Sequence, residues 1–245
     1  IGPRKLHNSQ WGYICPSESP DGGNVGIINH LSIMTKVSFN ISEIGITECL
    51  IDNGLILLSD IINRDLNNNC KIFLNGKWIG IHKDPVFLYK IMRLLKLNSI
   101  IHIYTSIYWN IELNEIYVFC DSGRLLRPVL VIKEMGSKYS NELIEGNYSY
   151  SNDWNHLING EHMYKKYNNK LSIYDENYYK DELIEIKTKY PDYISYLQDN
   201  ISQIEYIDPL ESEGFLIGKS IYSLDKKYTH CEIHSSLILS AVTVN

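Results

Sequence analysis

The fold is indicated most clearly by the stretch Lys71-Ile72-Phe73-Leu74-Asn75-Gly76-Lys77-Trp78-Ile79-Gly80-Ile81. Two short runs rich in aliphatic and aromatic residues flank an Asn-Gly pair. Both positions of a two-residue hairpin turn require a positive φ, which Asn and Gly tolerate better than other residues. The stretch therefore predicts a β-hairpin.

A helix is predicted directly after this hairpin. Asp84 can accept a hydrogen bond as N-cap, and Pro85 suits the first helical position. Apolar side chains then recur at spacings of three and four residues, namely Leu88, Ile91, Met92 and Leu95. This period predicts a helix with one face packed on the sheet.

The surrounding sequence predicts further short elements. From Ile41 onward we expect short β-rich runs, with Asp52-Asn53-Gly54 as a turn between two of them. Other strands are expected near 100–108, over 115–120 and 125–132, and again at 204–207 and 215–217. The polar, Tyr-rich segment between them has helical patches near 153–167 and 191–198. The predicted fold class is α+β: an irregular Gly/Pro-rich loop, a small mixed hairpin-plus-helix module and a second α+β segment.

Composition limits the possible functions. The 245 residues carry a formal net charge of −6, which argues against the chain as a whole being an electrostatic nucleic-acid clamp. No apolar run approaches the roughly 18 residues that span a bilayer, so we expect no membrane. The five cysteines are widely spaced with no Cys-x-x-Cys pair, which favours free thiols. The chain begins without Met and stops in an apolar run, so we expect a fragment.

Two sequence features suggest ligand chemistry but have simpler explanations. His230-Cys231-Glu232-Ile233-His234 contains zinc-competent side chains, yet Tyr228 to Ile233 alternates like a strand, which would hold the two histidines far apart. Asp121-Ser122-Gly123-Arg124 is typical of a turn rather than of a phosphate site. The mixed-charge run 175–189 is typical of a solvated helix face or a loop.

The N-terminal 30 residues read as a long irregular loop with five glycines and three prolines. Within it, Arg4 to Asn29 closely resembles a segment of the second-largest subunit of multisubunit DNA-dependent RNA polymerases, through Arg-x-Leu-His-x-x-x-Trp-Gly-x-x-Cys-Pro-x-Glu-x-Pro-Asp-Gly-x-x-x-Gly. Further blocks resemble the eukaryotic, archaeal and large-DNA-virus members in the family's order: Phe73 to His82, Asp121 to Pro128, Ile204 to Asp208 and Thr229 to His234.

The resemblance implies a division of the chain and a role for its first block. It implies a first part of the fork region at 1–40, an external α+β module at 41–132, a second external module at 133–203, and at 204–245 a return to the fork with the start of the hybrid-binding region. This first block, Arg4 to Asn29, would lie near the RNA–DNA hybrid and the downstream edge of the transcription bubble. Residues expected near nucleic acid or nucleotide are Arg4, Pro20, Asp21, Gly23 and Asn24, and those expected to order the loop are His7, Trp11, Glu18, Gly22 and Gly26.

This sequence departs from the family's pattern at a few positions. Asp21 stands where the family has Glu, one methylene longer, and Gly23 where it has Gln or Pro. Contacts made by those longer side chains are expected to be weaker or water-mediated here. Ser235 and Ser240 replace a Pro and a Gly of the family near the end of the chain.

The resemblance also implies that the chemistry lies elsewhere. Two-metal nucleotidyl transfer needs clustered carboxylates, and the sequence has no such cluster. The chain is therefore expected to bind no cofactor, and Mg²⁺ is expected in the complete polymerase, with the principal aspartates on the largest subunit. Expected partners are the largest and other polymerase subunits, the DNA template and the RNA–DNA hybrid. The expected location is intracellular: nucleus, viral factory or virion, according to source. Two alternatives are a nucleic-acid or protein binding module derived from that subunit, and a metal hydrolase built on His230 and His234.

Overall fold

The computed structural model describes residues 5–61, 69–132, 154–167, 178–224 and 227–244. The chain divides into two compact units. The first unit comprises Ile1–Ser38, Gly123–Tyr148 and Tyr206–Asn245, and the second comprises Phe39–Ser122 and Ser149–Glu205.

The described residues form short strands and helices, which occur partly in runs of one kind. The strands are β1 (Lys36–Val37), β2 (Ile56–Leu57), β3 (Cys70–Leu74), β4 (Lys77–His82), β5 (Ser106–Asn110), β6 (Glu115–Phe119), β7 (Leu125–Val131), β8 (Ile204–Ile207), β9 (Ile217–Gly218) and β10 (His230–Cys231). The helices are α1 (Glu43–Asp52), α2 (Pro85–Leu97), α3 (Trp154–Ile158), α4 (Glu161–Tyr167), α5 (Tyr178–Lys189), α6 (Tyr193–Asp199), α7 (Pro209–Glu213) and α8 (Ala241–Val244). The predicted α+β class is confirmed.

The second unit is built on the predicted hairpin. Its sheet has the strand order β2-β4-β3-β6-β5, and only the β3–β6 pair is parallel. At the hairpin turn Asn75 and Gly76 both have positive φ, 47° and 78°. Local turn chemistry was therefore sufficient to predict the β3–β4 pairing.

Helix α2 covers one face of this sheet, as its sequence period predicts. The Asp84 carboxylate accepts a hydrogen bond from the Phe87 N–H at 3.0 Å, and Pro85 occupies the first turn. Four predicted apolar positions are buried in the core together with Ile72, Ile107 and Ile116: Leu88, Ile91, Met92 and Leu95. Each such side chain contributes about 1.5–3 kcal/mol by leaving water.

Two predictions in this unit were wrong. Residues 43–52 form helix α1 rather than β-rich runs, since the Ser42 hydroxyl caps the Ile44 N–H at 3.3 Å and the buried residues Ile46, Cys49 and Leu50 fall on one helical face. The strand expected near 100–108 begins only at Ser106. Ser99 ends α2 with φ 59°, and a turn closed by the Thr105 N–H and the His102 carbonyl precedes the strand. Short apolar runs do not distinguish helix from strand.

The Tyr-rich part of this unit is helical where it is described. The predicted patches correspond to α3, α4 and α6, and the mixed-charge run contains α5. Leu183 and Ile186 of α5 are buried in the core, while Ile184 on the same helix is 59% exposed. The remainder of the predicted segment, 133–153 and 168–177, lies outside the described residues.

The first unit has its own sheet, with the strand order β1-β7-β10-β9. Strand β8, whose last two residues belong to this unit, also pairs with β7. Val129, Ile207 and Phe215 form its buried apolar cluster. Helix α7 has a capping box between Asp208 and Glu211. The strands predicted at 215–217 and 228–233 differ from the observed ones. Only Ile217–Gly218 (β9) and His230–Cys231 (β10) have strand structure there, two residues each.

Gly80 allows a close approach of backbones between β2 and β4. A Cβ on Gly80 would lie 2.2 Å from the Ile56 carbonyl oxygen, which is backbone and cannot turn aside. We expect Gly80→Ala to lower the free energy of unfolding by about 1–3 kcal/mol, measured by urea denaturation of the chain. Gly23→Ala is the matched control, because a Cβ added there would have no non-neighbouring atom within 4 Å. Equal midpoints for the two variants would contradict the packing argument.

Candidate nucleic-acid interface

The glycine-rich N-terminal loop is closed at its base by backbone hydrogen bonds. The Ser32 N–H donates to the Tyr13 carbonyl at 3.0 Å, and the Cys15 N–H donates to the His30 carbonyl at 2.8 Å. Ile14 and Leu31 form an antiparallel bridge between them. Residues 16–29 therefore leave and return at one point, and we call them the fork loop.

The tip of the fork loop is an exposed turn. Gly22–Asn24 form one turn of 3₁₀ helix, and Asp21 precedes it in an extended conformation. Gly22 has φ 88°, which favours glycine at this position. Four of the residues assigned from the sequence, Asp21 to Asn24, are exposed together on this turn, and Pro20 beside them is partly exposed.

Contacts inside the fork loop restrict its shape. The Gly26 N–H donates to the Ser19 hydroxyl at 2.6 Å, and Gly26 has φ 75°. The Glu18 N–H donates to the Cys15 sulfur at 3.3 Å, and the Glu18 carboxylate lies 3.5 Å from the His30 ring. Glu18 and Gly26 thus lie where they can order the loop.

His7 and Trp11 lie before the base of the loop. The His7 ring accepts a hydrogen bond from the Ser9 N–H at 3.2 Å and caps the short turn Asn8–Gln10. The Trp11 indole N–H donates to Glu232 at 3.2 Å. Both residues line a mostly apolar cavity of about 440 Å³. Arg4 lies outside the described residues.

Sequence reasoning assigned no role to a buried ion pair beside Trp11. One guanidinium nitrogen of Arg127, in β7, contacts both carboxylate oxygens of Glu232 at 2.7 and 2.6 Å. The two side chains are only 6% and 9% exposed. A charged residue in the otherwise apolar run Leu125 to Val131 was the available signal, since a buried charge needs a partner.

Residues 12 and 13 pack against the same arginine. A Cβ on Gly12 would lie 2.5 Å from Arg127 Cδ, and Gly12 has φ 78°. The Arg127 guanidinium lies 5.5 Å from the centroid of the Tyr13 ring. Burial raises the pKa of Tyr13 above its usual value, so its hydroxyl stays protonated and donates to the Ile207 carbonyl at 3.0 Å.

The two histidines considered as zinc ligands have separate local partners. His230 is buried, with its ring 4.4 Å from that of Phe215, centroid to centroid. His234 is exposed, and its ring nitrogen lies 2.6 Å from the Ser236 hydroxyl. Within the described residues no three His, Cys, Asp or Glu side chains are grouped so as to hold a metal ion. None of the described helices has the length and apolar character needed to cross a membrane.

Family comparisons match two parts of the chain. Residues 1–37 match the family described as RNA polymerase Rpb2, domain 3, and residues 72–133 match RNA polymerase Rpb2, domain 4. The chain is also 32% identical to the DNA-directed RNA polymerase II subunit RPB2 of Encephalitozoon cuniculi, over 97% of this chain and 18% of that protein. The chain belongs to the family of second-largest RNA polymerase subunits.

Similar proteins are also found in a virus and in an archaeon. The DNA-directed RNA polymerase subunit 2 of Acanthamoeba polyphaga mimivirus is 26% identical over 99% of the chain and 20% of that protein. The subunit Rpo2 of Sulfolobus acidocaldarius is 25% identical over 98% of the chain and 19% of that protein. The chain therefore spans about a fifth of the length of the curated relatives it matches.

Cys15, at the base of the fork loop, has an unusual environment for a buried thiol. Burial alone raises the pKa of a thiol. Here hydrogen bonds from the Thr243 hydroxyl and from backbone N–H groups, including that of Glu18, stabilise the thiolate and lower the pKa to about 7. Burial raises the pKa of Cys49 to about 12 and of Cys231 to about 11.

We expect Thr243→Val to raise the pKa of Cys15, because the variant keeps the shape but loses the hydroxyl 3.6 Å from the sulfur. The measurement is the rate of iodoacetamide alkylation of the Cys15 peptide against pH, followed by mass spectrometry. The half-maximal rate should move from near pH 7 to higher pH. Thr188→Val, whose hydroxyl bonds to the Glu185 carbonyl, is the control. Identical profiles for the two variants would contradict the assignment.

Proposed function

We propose that this chain is part of the second-largest subunit of a DNA-directed RNA polymerase. In that assembly it would help to position the RNA–DNA hybrid, the downstream DNA and the incoming nucleotide during DNA-templated RNA synthesis. The observation that carries the proposal is the exposed turn Asp21–Asn24 at the tip of a loop with a closed base. The family membership of the chain supports it.

The exposed turn suits a nucleic-acid backbone or a nucleotide. Gly22 and Gly23 have no neighbouring atom within 4 Å of where a Cβ would stand, so a ligand can approach the main chain closely. The Asn24 side chain carries both a donor and an acceptor and is exposed. Such groups contribute to position more than to electrostatic affinity, which agrees with the net charge of −6.

We place nucleotidyl transfer itself outside this chain. The reaction would belong to the assembled polymerase with its Mg²⁺, and this chain would be non-catalytic alone. Its partners would be the largest subunit and the other polymerase subunits, the DNA template and the hybrid. The location would be that of the enzyme: the nucleus in a cell, or a cytoplasmic viral factory or virion if the source is a large DNA virus.

The test replaces Asn24 by Ala in the complete second-largest subunit, assembled into its polymerase. We expect assembly to be normal and the rate of single-nucleotide addition to fall about threefold to tenfold, because one positioning contact of about 0.5–1.5 kcal/mol is lost. The measurement is rapid-quench extension of an RNA primer on a scaffold of template and non-template DNA.

Asn40→Ala is the matched control. Asn40 is an exposed asparagine that lies outside the fork loop. We expect this variant to extend RNA at the unaltered rate. Wild-type rates and fidelity in the Asn24→Ala enzyme would overturn the proposed role of the turn.

A further inference from the structure

The fork loop follows a short segment, Trp11 to Tyr13, that contacts side chains far away in the sequence. Its base is formed by residues 13–15 and 30–32. The residues just before and at that base, Trp11 to Tyr13, contact the Arg127–Glu232 pair. We call the set Trp11, Arg127 and Glu232 the fork lock.

We propose that Glu232 and Arg127 are positioning residues for nucleotide addition, acting through Trp11 and the base of the fork loop. This inference rests on the proposed function, because it assumes that the exposed turn Asp21–Asn24 faces nucleic acid or nucleotide. Neither residue of the pair would touch the substrate. Their role would be to set where the turn stands.

Trp11 is restrained by a single hydrogen bond to the ion pair. The indole N–H donates to Glu232 Oε1 at 3.2 Å, while Trp11 as a residue is 46% exposed. Apolar packing that leaves nearly half of a residue exposed cannot alone determine its orientation. The hydrogen bond supplies the missing directional restraint.

Glu232 is in turn held in place by Arg127. Arg127 Nη1 contacts both of its carboxylate oxygens, at 2.7 and 2.6 Å, and the pair is almost completely buried. Charge-assisted hydrogen bonds are short and directional. Oε1 of the carboxylate, which accepts from Trp11, therefore has a defined place relative to β7.

Gly12 and Tyr13 connect the fork lock to the base of the fork loop. Gly12 packs on the Arg127 side chain so closely that a Cβ would overlap it, and Tyr13 lies under the guanidinium. The Tyr13 carbonyl then accepts the Ser32 N–H that closes the fork loop. A shift of Arg127 or Glu232 would move residues 11–13, and with them the base on which the exposed turn stands.

The experiment is a double-substitution cycle in the complete polymerase, combining Glu232→Gln with Asn24→Ala. Gln keeps the shape of Glu and can still accept from Trp11, but loses the charge that orients Arg127. We expect Glu232→Gln alone to lower the maximal rate of nucleotide addition about tenfold with little change in the KM for nucleotide, since displacements of about 1 Å can cost on the order of 100-fold. Combined with it, Asn24→Ala should cost less than it does alone.

A matched control separates positioning from general destabilisation. Glu211→Gln makes the same chemical change at another buried glutamate of the first unit, in the capping box of α7. We expect this variant to assemble and to extend RNA at the wild-type rate. Trp11→Phe removes the indole donor together with one ring, keeps an aromatic side chain, and serves if the Glu232 variant fails to assemble. It should lower the rate in the same direction by about twofold to fivefold.

The outcomes separate the two proposals. If Asn24→Ala slows addition while Glu232→Gln and Trp11→Phe leave it unchanged, or if the effects of Glu232→Gln and Asn24→Ala are simply multiplicative, the lock is not a positioning device and the proposed function stands. If Asn24→Ala has no effect, the proposed role of the turn fails, and the inference fails with it. Equal slowing by Glu211→Gln and Glu232→Gln would show that the lock acts only through stability.

Discussion

Arg127 and Glu232 are 105 residues apart in sequence, yet one guanidinium nitrogen contacts both carboxylate oxygens inside the first unit. A buried charge deprived of its partner costs about 3–5 kcal/mol, so neither side chain is free to leave. Trp11, Gly12 and Tyr13 pack around this pair. It is the point at which three separate segments of the first unit meet, and one of them, residues 11–13, leads directly into the base of the fork loop.

Four of the blocks that resemble the polymerase family meet around this pair. Trp11 and Tyr13 come from the first block, Arg127 from the block Asp121 to Pro128, and Glu232 from the block Thr229 to His234. The block Ile204 to Asp208 contributes the Ile207 carbonyl that accepts the Tyr13 hydroxyl. In sequence these blocks look like independent motifs, whereas in the fold they form one contact network. Their common effect is to present a small exposed turn on a restrained base.

The second unit has a larger apolar core than the first. Its core is formed by residues of the β3–β4 hairpin, of the β5–β6 pair and of helices α1, α2, α5 and α6. Burial of its Leu, Ile and Met side chains is non-directional, but this unit also contains long-range buried polar contacts, since the Glu205 carboxylate lies 2.5 Å from Arg93 and 3.2 Å from Lys96. Its block Phe73 to His82 forms most of the β3–β4 hairpin, whereas the blocks of the first unit contribute to the contacts around Arg127 and Glu232.

The sequence by itself determined the local elements whose signals are contained in a few residues. The Asn75-Gly76 turn, the Asp84 cap and the apolar period of α2 each depend on neighbours along the chain. The amphipathic run 43–52 was misassigned, because its short apolar runs fit either period until packing selects one. Within the candidate site, Asp21, Gly23 and Asn24 were assigned through the resemblance to the polymerase family, and in the structure they lie on one exposed turn. Only the tertiary structure decided that Arg127 pairs with Glu232 and holds Trp11, because a charged side chain shows in sequence that it needs a partner but not which distant residue provides it.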